Sequence, residues 1–328
     1  MKNKKSDIAE NEQLSGVALI LLATACLSLM DGTIKYLVGQ GFAVVQILAV
    51  RSWFIVPVLL IWVLHTKGGG VLRTRRKWAH FSRVVLGMGA PYFFFTALKT
   101  MALADATVIF FGSTFIMTAL SVPVFKEKVG VHRWSAVIIG FVGVVIAMKP
   151  SGNVFQPGAL YVVVSSISYA LFMLSTRWLG LREGAFKQVV YFNVWIGLAA
   201  SAALPLSFKP MTGMDVAMAG LASAFALLGH LSSTRAFALA PVGLLAPFEY
   251  SGLLWASGIG YFFWREIPGP NALVGGAVIV ACGLYLVHRE SKNHRARGRR
   301  KTPGDVVADP IVAPALIATP KKGRDQES

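Results

Sequence analysis

Ten runs of about twenty apolar residues constrain this chain more than any other feature. They fall at 16–38, 42–65, 81–98, 103–125, 131–148, 158–179, 187–206, 214–234, 241–263 and 270–287. A bilayer core of about 30 Å takes roughly 20 residues of helix to cross. The chain is 55% hydrophobic and only 14% charged, where a soluble domain carries about 25% charged residues. Inside lipid a backbone has no water to bond, so each run is predicted to be helical. Pro and Gly cluster between the runs, as in "TKGGG", "KPSGN" and "EIPGP", where a helix must stop or turn. The expected fold class is all-α integral membrane, with ten transmembrane helices. The first run, about 22 residues after a polar "MKNKKSDIAENEQ", exceeds the apolar core of a cleaved signal peptide and is read as a retained helix.

The charges orient the bundle. The net charge is +17, which alone would suggest nucleic acid, but the positions of the charges decide otherwise. With the N-terminus in the cytoplasm, the cytoplasmic segments hold 25 of the 32 Lys and Arg, and the opposite loops hold only Lys99, Lys149, Lys209 and Arg265. That asymmetry follows the positive-inside rule. It predicts that both termini are cytoplasmic. The two cysteines, Cys26 and Cys282, lie inside apolar runs and have neither disulfide nor zinc spacing.

The chain repeats itself. A shift of 142 carries Gly16 onto Gly158, Lys35 onto Arg177, Gln46 onto Gln188, Arg51 onto Asn193 and Trp53 onto Trp195. The offset then drifts, so that "ALA" at 102–104 meets "ALA" at 238–240, and "FKEK" around Glu127 meets "WREI" around Glu266. Each half has five runs. Five is odd, so a second copy enters the membrane from the other side, giving two inverted five-helix repeats and a central site between them. The expected organisation is an N-terminal cytoplasmic segment (1–15), a first repeat (16–150), a second repeat (157–288) and a basic tail (289–328) expected to be disordered.

The stretches "ALADATVIFF…KEKVG", "VGVVIAMKP" and "APVGLLAPFEYSGLLWASGIGYFFWREIP" resemble the drug/metabolite transporter superfamily, EamA-type, over roughly residues 14 to 288. The resemblance implies ten helices in two inverted repeats, transport of small metabolites, and a tight scaffold of the fourth, fifth, ninth and tenth helices. Glycines in "GFVGVV" and "GGAVIVACG" suit such close packing. It also implies a bacterial inner (plasma) membrane location.

Charges inside the runs mark the candidate site, because intramembrane charge turns toward protein or a wet cavity. Asp31 and Lys35 share a helix face at i and i+4. Asp31 reads either as a cavity-facing carboxylate or as a helix-orienting partner of Lys35, with Lys35 snorkelling to the outer interface. Arg51 reads as a cation for a carboxylate or phosphate, or as a partner of Asp31; Asn193 is its repeat mate. Glu249, two residues after Pro247, is the deepest acid of the second half and reads as a proton or substrate group, or as a structural acceptor. His230 reads first as a hydrogen-bonded packing residue, and otherwise as a substrate or proton group. Tyr92, Phe94, Trp53, Trp195 and Tyr169 offer rings on which flat or cationic ligands stack, or simply fill the bundle. Glu127 and Glu266 are expected to form local ion pairs.

Other classes fit less well. "DGTIK" resembles the opening of the CDP-alcohol phosphotransferase motif, but the further aspartates that chemistry needs are missing downstream. No Walker loop appears, no cofactor or metal is called for, and a channel would need a repeated pore ring. The expectation is a secondary transporter working by alternating access, with riboflavin uptake the first substrate, on a weak resemblance to the bacterial riboflavin-uptake branch. Export of amino acids or related metabolites comes second. Expected partners are a small-molecule substrate, the bilayer, and anionic lipid headgroups at the tail; no nucleic acid is expected, and the chain is expected as monomer or homodimer.

Overall fold

The computed structural model describes residues 2–66, 74, 77–125, 130–148, 157–180, 185–240 and 242–298. Within them the regular structure is entirely helical. The helices are α1 (Lys2–Gly39), α2 (Val44–Thr66), α3 (Lys77–Ala97), α4 (Leu103–Phe111), α5 (Ser113–Phe125), α6 (Val131–Met148), α7 (Pro157–Gly180), α8 (Ala185–Ala203), α9 (Gly213–Leu239), α10 (Val242–Glu249), α11 (Ser251–Trp264) and α12 (Pro270–Gly298).

Six helical stretches among the described residues are long and apolar enough to cross a membrane: Glu12–Gly39, Val44–His65, Leu103–Val124, Pro157–Ser175, Lys187–Leu206 and Gly213–Phe237. Trp134–Met148 and Pro270–Leu286 are shorter apolar helices. Each apolar run of the sequence coincides with one helix or, twice, with a kinked pair: α4 with α5 at Gly112, and α10 with α11 at Tyr250.

Local chemistry sets several boundaries. Thr212 caps α9, its hydroxyl taking the Asp215 N–H at 3.3 Å while the Asp215 carboxylate takes the Thr212 N–H at 2.9 Å. This reciprocal pair satisfies donors that a helix start leaves open. Gly41, at φ +85°, turns the chain between α1 and α2 in a conformation that side chains with a Cβ resist. α12 runs to Gly298, ten residues into the segment expected to be disordered. The stretch "RESKNHRARG" is rich in helix formers and free of proline, and it extends an existing helix, which needs no new nucleus. Residues 299–328 of the expected tail lie outside the described residues.

The helices pack across the middle of the chain. α1 lies along α9, α3 along α7, α2 along α8, and α6 along α12. Small residues permit the closest of these contacts. A Cβ at Gly16 would meet the Ala240 Cβ at 2.8 Å, and one at Gly275 would meet the Gly143 carbonyl at 2.5 Å and the Ala147 N at 2.8 Å. At α6–α12 backbone therefore rests on backbone. The buried core is continuous from Ile34 and Leu37 through Ile47, Leu103 and Ile109 to Ile279. Both cysteines are buried within the bundle, as expected.

Candidate functional site

Two groups of polar side chains meet inside the bundle. The first joins α1, α2 and α9. Asp31 and Arg51 act on one another electrostatically, and Arg51 acts also on His230. Asp31 thus feels the cation of the next helix without an ion pair of 4 Å or less between them, and the i, i+4 pairing with Lys35 does not form, since Lys35 is held by Glu266. Neither Asp31 nor Arg51 is fully buried, and His230 is exposed. The Arg51 backbone carbonyl takes the Ser223 hydroxyl at 3.3 Å, which ties the base of the arginine to α9.

The second group joins α3, α4, α7 and α10. Glu249 is the last residue of α10, at the kink, and its side chain is open to solvent. Its charge acts on Tyr169 and Tyr250. The Tyr169 ring meets Phe110 at 5.2 Å, and Phe110 meets Phe94 at 5.2 Å. An acid, a phenol and two phenyl rings so converge on one wall, a surface suited to a cationic or aromatic group.

The two kinks touch. Phe111, at the end of α4, meets Tyr250 edge to face at 5.4 Å. Gly283 of α12 leaves room for the Tyr250 hydroxyl, which any Cβ at that position would overlap. α1 is pinned beside this kink, because Thr24 and Ser251 share a hydroxyl hydrogen bond of 2.8 Å and the Ser28 hydroxyl donates to the Gly252 carbonyl at 3.3 Å. Ser28 is one turn from Asp31 on α1, so this pinning brings the two groups to neighbouring walls.

Other candidates stand apart. The Trp53 indole donates to the Ser201 hydroxyl at 2.9 Å and is largely exposed. Trp195 rests edge-on against Phe81 at 5.6 Å. Tyr92 is exposed beside Phe93. The Asn193 amide donates to the Val189 carbonyl of its own helix at 3.0 Å, so it does not act as the counterpart of Arg51.

One polar centre was not foreseen. Lys35 is 6% exposed and does not snorkel. Its ammonium pairs with both oxygens of Glu266 and donates to the Met101 carbonyl at 3.0 Å. Glu266 was expected to pair locally; its partner lies 231 residues away. The physical reason is the backbone. Arg265 adopts φ +56° and turns Glu266 back into the bundle, where the buried ammonium outcompetes solvent-exposed neighbours. The sequence matches held a clue, because the expected repeat aligns Lys35 with Arg177 and Glu266 with Glu127 and keeps the charge at both.

Six helical stretches among the described residues, long and apolar enough to cross a membrane, define a multi-pass membrane protein, and the proteins it is similar to are transporters. Residues 14–149 match the EamA-like transporter family, in agreement with the resemblance read from the sequence. The chain is 26% identical over 277 residues to an S-adenosylmethionine uptake transporter of Rickettsia bellii, covering 84% of this chain and 94% of that one. It is 26% identical over 277 residues to the pseudopaline exporter CntI of Pseudomonas aeruginosa, covering 83% and 95%. A protein of Helicobacter pylori described as an uncharacterized transporter is 27% identical over 289 residues, covering 84% and 95%. One solved crystal structure superposes with a TM-score of 0.56 at 18% identity, over 85% of this chain and 98% of the other, a likeness of fold alone.

Proposed function

We infer that the chain is a secondary transporter that carries a small zwitterionic metabolite by alternating access, through a site between two inverted five-helix repeats spanning 16–150 and 157–288. The observation that carries this reading is that the charges of Asp31 on α1 and Arg51 on α2 act on one another, while α10, which carries Glu249 and its aromatic wall, packs against α1. A fixed cation beside a fixed anion suits the carboxylate and ammonium of an amino-acid group. The repeat is supported by the kinks: α4 and α5 have 9 and 13 residues, α10 and α11 have 8 and 14. It is supported also by the packing, since α1 on α9 and α7 on α3 exchange under a five-helix shift. Ten crossings with both termini cytoplasmic, in a bacterial inner membrane, follow from the same reading.

The flavin expectation gains no support from the named relatives. S-adenosylmethionine replaces it as the first substrate to test. That molecule joins an amino-acid group, a sulfonium cation and a purine, and Arg51 with Asp31, Glu249, and Tyr169 with Phe110 offer a partner to each. Export of a related amino-acid derivative is the second reading, favoured by the likeness to the pseudopaline exporter.

The test is uptake of labelled S-adenosylmethionine by cells expressing the chain, with methionine, other amino acids and riboflavin as competitors. Accumulation above control cells, lost in Asp31→Asn and Arg51→Gln, supports the reading. Absence of transport for every member of the panel, in vesicles of both orientations, overturns it.

A further inference from the structure

The centre built on Lys35 lies at one end of the bundle, where α1 finishes and α4, α7 and α12 begin. Its ammonium has three protons, and it has three acceptors: both Glu266 oxygens and the Met101 carbonyl. Glu266 also takes the Leu103 N–H at 3.2 Å, and the Trp264 ring lies 5.3 Å from the ammonium. A second tie runs beside it, the Asp105 carboxylate taking the Gly269 N–H at 3.2 Å. On its far side Met101 abuts α7, where a Cβ at Gly158 would meet the Met101 Cγ at 2.6 Å. One buried ammonium thus joins α1, the α3–α4 connection and the α11–α12 turn, with α7 against the same methionine.

These elements belong to different packing pairs. α1 rests on α9, and α3 rests on α7. A contact that crosses between the two pairs at one end holds that end shut. Asp31 lies four residues from Lys35 on the same helix, about 6 Å of rise deeper. Separation of the pair would open a route from that end directly to Asp31 and Arg51. Burial makes the contact nearly all-or-none for the lysine, since an ammonium only 6% exposed is not stable there without its acid, and such bistability suits a gate.

We propose that the Lys35–Glu266 pair, seated on the Met101 carbonyl and the Leu103 N–H, is a latch that closes one end of the path to the Asp31–Arg51 site. The proposal rests on the transport reading above, and its test needs no substrate. In full-length protein carrying Cys26→Ala and Cys282→Ala, a reporter cysteine is placed at Met101, which is 6% exposed; the latch uses only its backbone carbonyl. A control cysteine is placed at Ala236, which is 0% exposed and lies at the opposite end of the α1–α9 contact. Labelling by a membrane-impermeant maleimide is followed in sealed vesicles of each orientation. With the latch intact both reporters are protected. In Lys35→Gln or Glu266→Gln the Met101 reporter labels faster on the order of tenfold, from one side only, as a shift of about 1.4 kcal/mol in the closed state gives, while Ala236 stays protected. The exchange of Lys35→Glu with Glu266→Lys restores protection; if that pair fails to reach the membrane, Lys35→Arg keeps the charge and must stay protected. Unchanged labelling at Met101 in both single variants overturns the proposal. So does a rise at Ala236 equal to that at Met101, which would make the pair a fold-wide support and not a closure.

Discussion

The ammonium of Lys35 and the carboxylate of Glu266 come from opposite ends of the chain and form one buried pair, closed on the backbone by Met101 and Leu103. Glu266 keeps 26% of its side chain exposed and Lys35 only 6%, so the two partners are not equivalent. Glu266→Gln strands a buried ammonium, whereas Lys35→Met leaves an acid that still reaches water. Breaking a buried pair costs roughly 3–5 kcal/mol. The larger loss in thermal stability of detergent-solubilised protein is therefore expected for Glu266→Gln, and the double variant Lys35→Met with Glu266→Gln recovers part of it. Equal losses in both single variants, undiminished in the double, would show that the charges are not coupled.

Helix contact by bare backbone makes a sharper prediction. At Gly275 an added methyl meets the Gly143 carbonyl and the Ala147 backbone N on α6. Neither can move aside as a side chain would. Gly275→Ala is expected to lower stability by about 1–3 kcal/mol, the usual cost of overpacking. Gly258, inside α11, has nothing within 4 Å of its would-be Cβ. Gly258→Ala is expected to be neutral or to stabilise by up to about 1 kcal/mol, from helix propensity. Thermal unfolding of both variants under the same detergent conditions checks the contrast.

Gln46 acts as a backbone substitute. Its amide oxygen takes the Lys209 N–H at 3.0 Å and its amide nitrogen donates to the Lys209 carbonyl at 2.6 Å. The residue is 1% exposed, so removing it leaves paired backbone groups without partners. Gln46→Ala is expected to cost about 1–3 kcal/mol. Gln46→Glu keeps the acceptor, loses the donor and sets an acid against a carbonyl, so it should be no better. Lys209→Ala, which keeps the same backbone groups, should be mild by comparison in the same unfolding assay.

Asp31 and Arg51 should behave as a coupled pair in substrate recognition. Each single neutral variant is expected to reduce transport severely while membrane levels hold. Arg51→Lys is expected to rescue poorly, because an ammonium cannot reproduce a planar fork on a carboxylate. A double-mutant cycle on substrate inhibition should give a coupling energy in the range of about 0.5–3 kcal/mol. Additive effects would separate the two residues.

The sequence revealed the spans and much less of the site, for a physical reason. Apolar length is a property of one segment, and the helices fall on the runs read from composition, including the tight glycine contact of α6 with α12. Pairing depends on which segments meet. Asp31, Arg51 and Glu249 stood out because charge within lipid is costly wherever it sits. Their partners were left open: Asp31 could face Lys35 by spacing or Arg51 on the next helix, and nothing in the pattern pointed to Glu266, which holds Lys35. The aromatics were the least legible: Tyr169 and Phe94 meet through Phe110, which no pattern singled out, while Trp53 and Trp195 lie elsewhere. An aromatic residue fills an interior, a surface or a site with equal ease, so its position in the sequence carries little information.

Solute counterflow tests the central claim most directly. Purified protein is reconstituted in liposomes preloaded with unlabelled S-adenosylmethionine, and labelled S-adenosylmethionine is added outside. A carrier whose site faces the two sides in turn gives a transient accumulation of label above equilibrium, which the account predicts for the parent protein and not for Asp31→Asn. No overshoot with S-adenosylmethionine or with any zwitterionic metabolite of the panel, from protein shown to be folded, would contradict it.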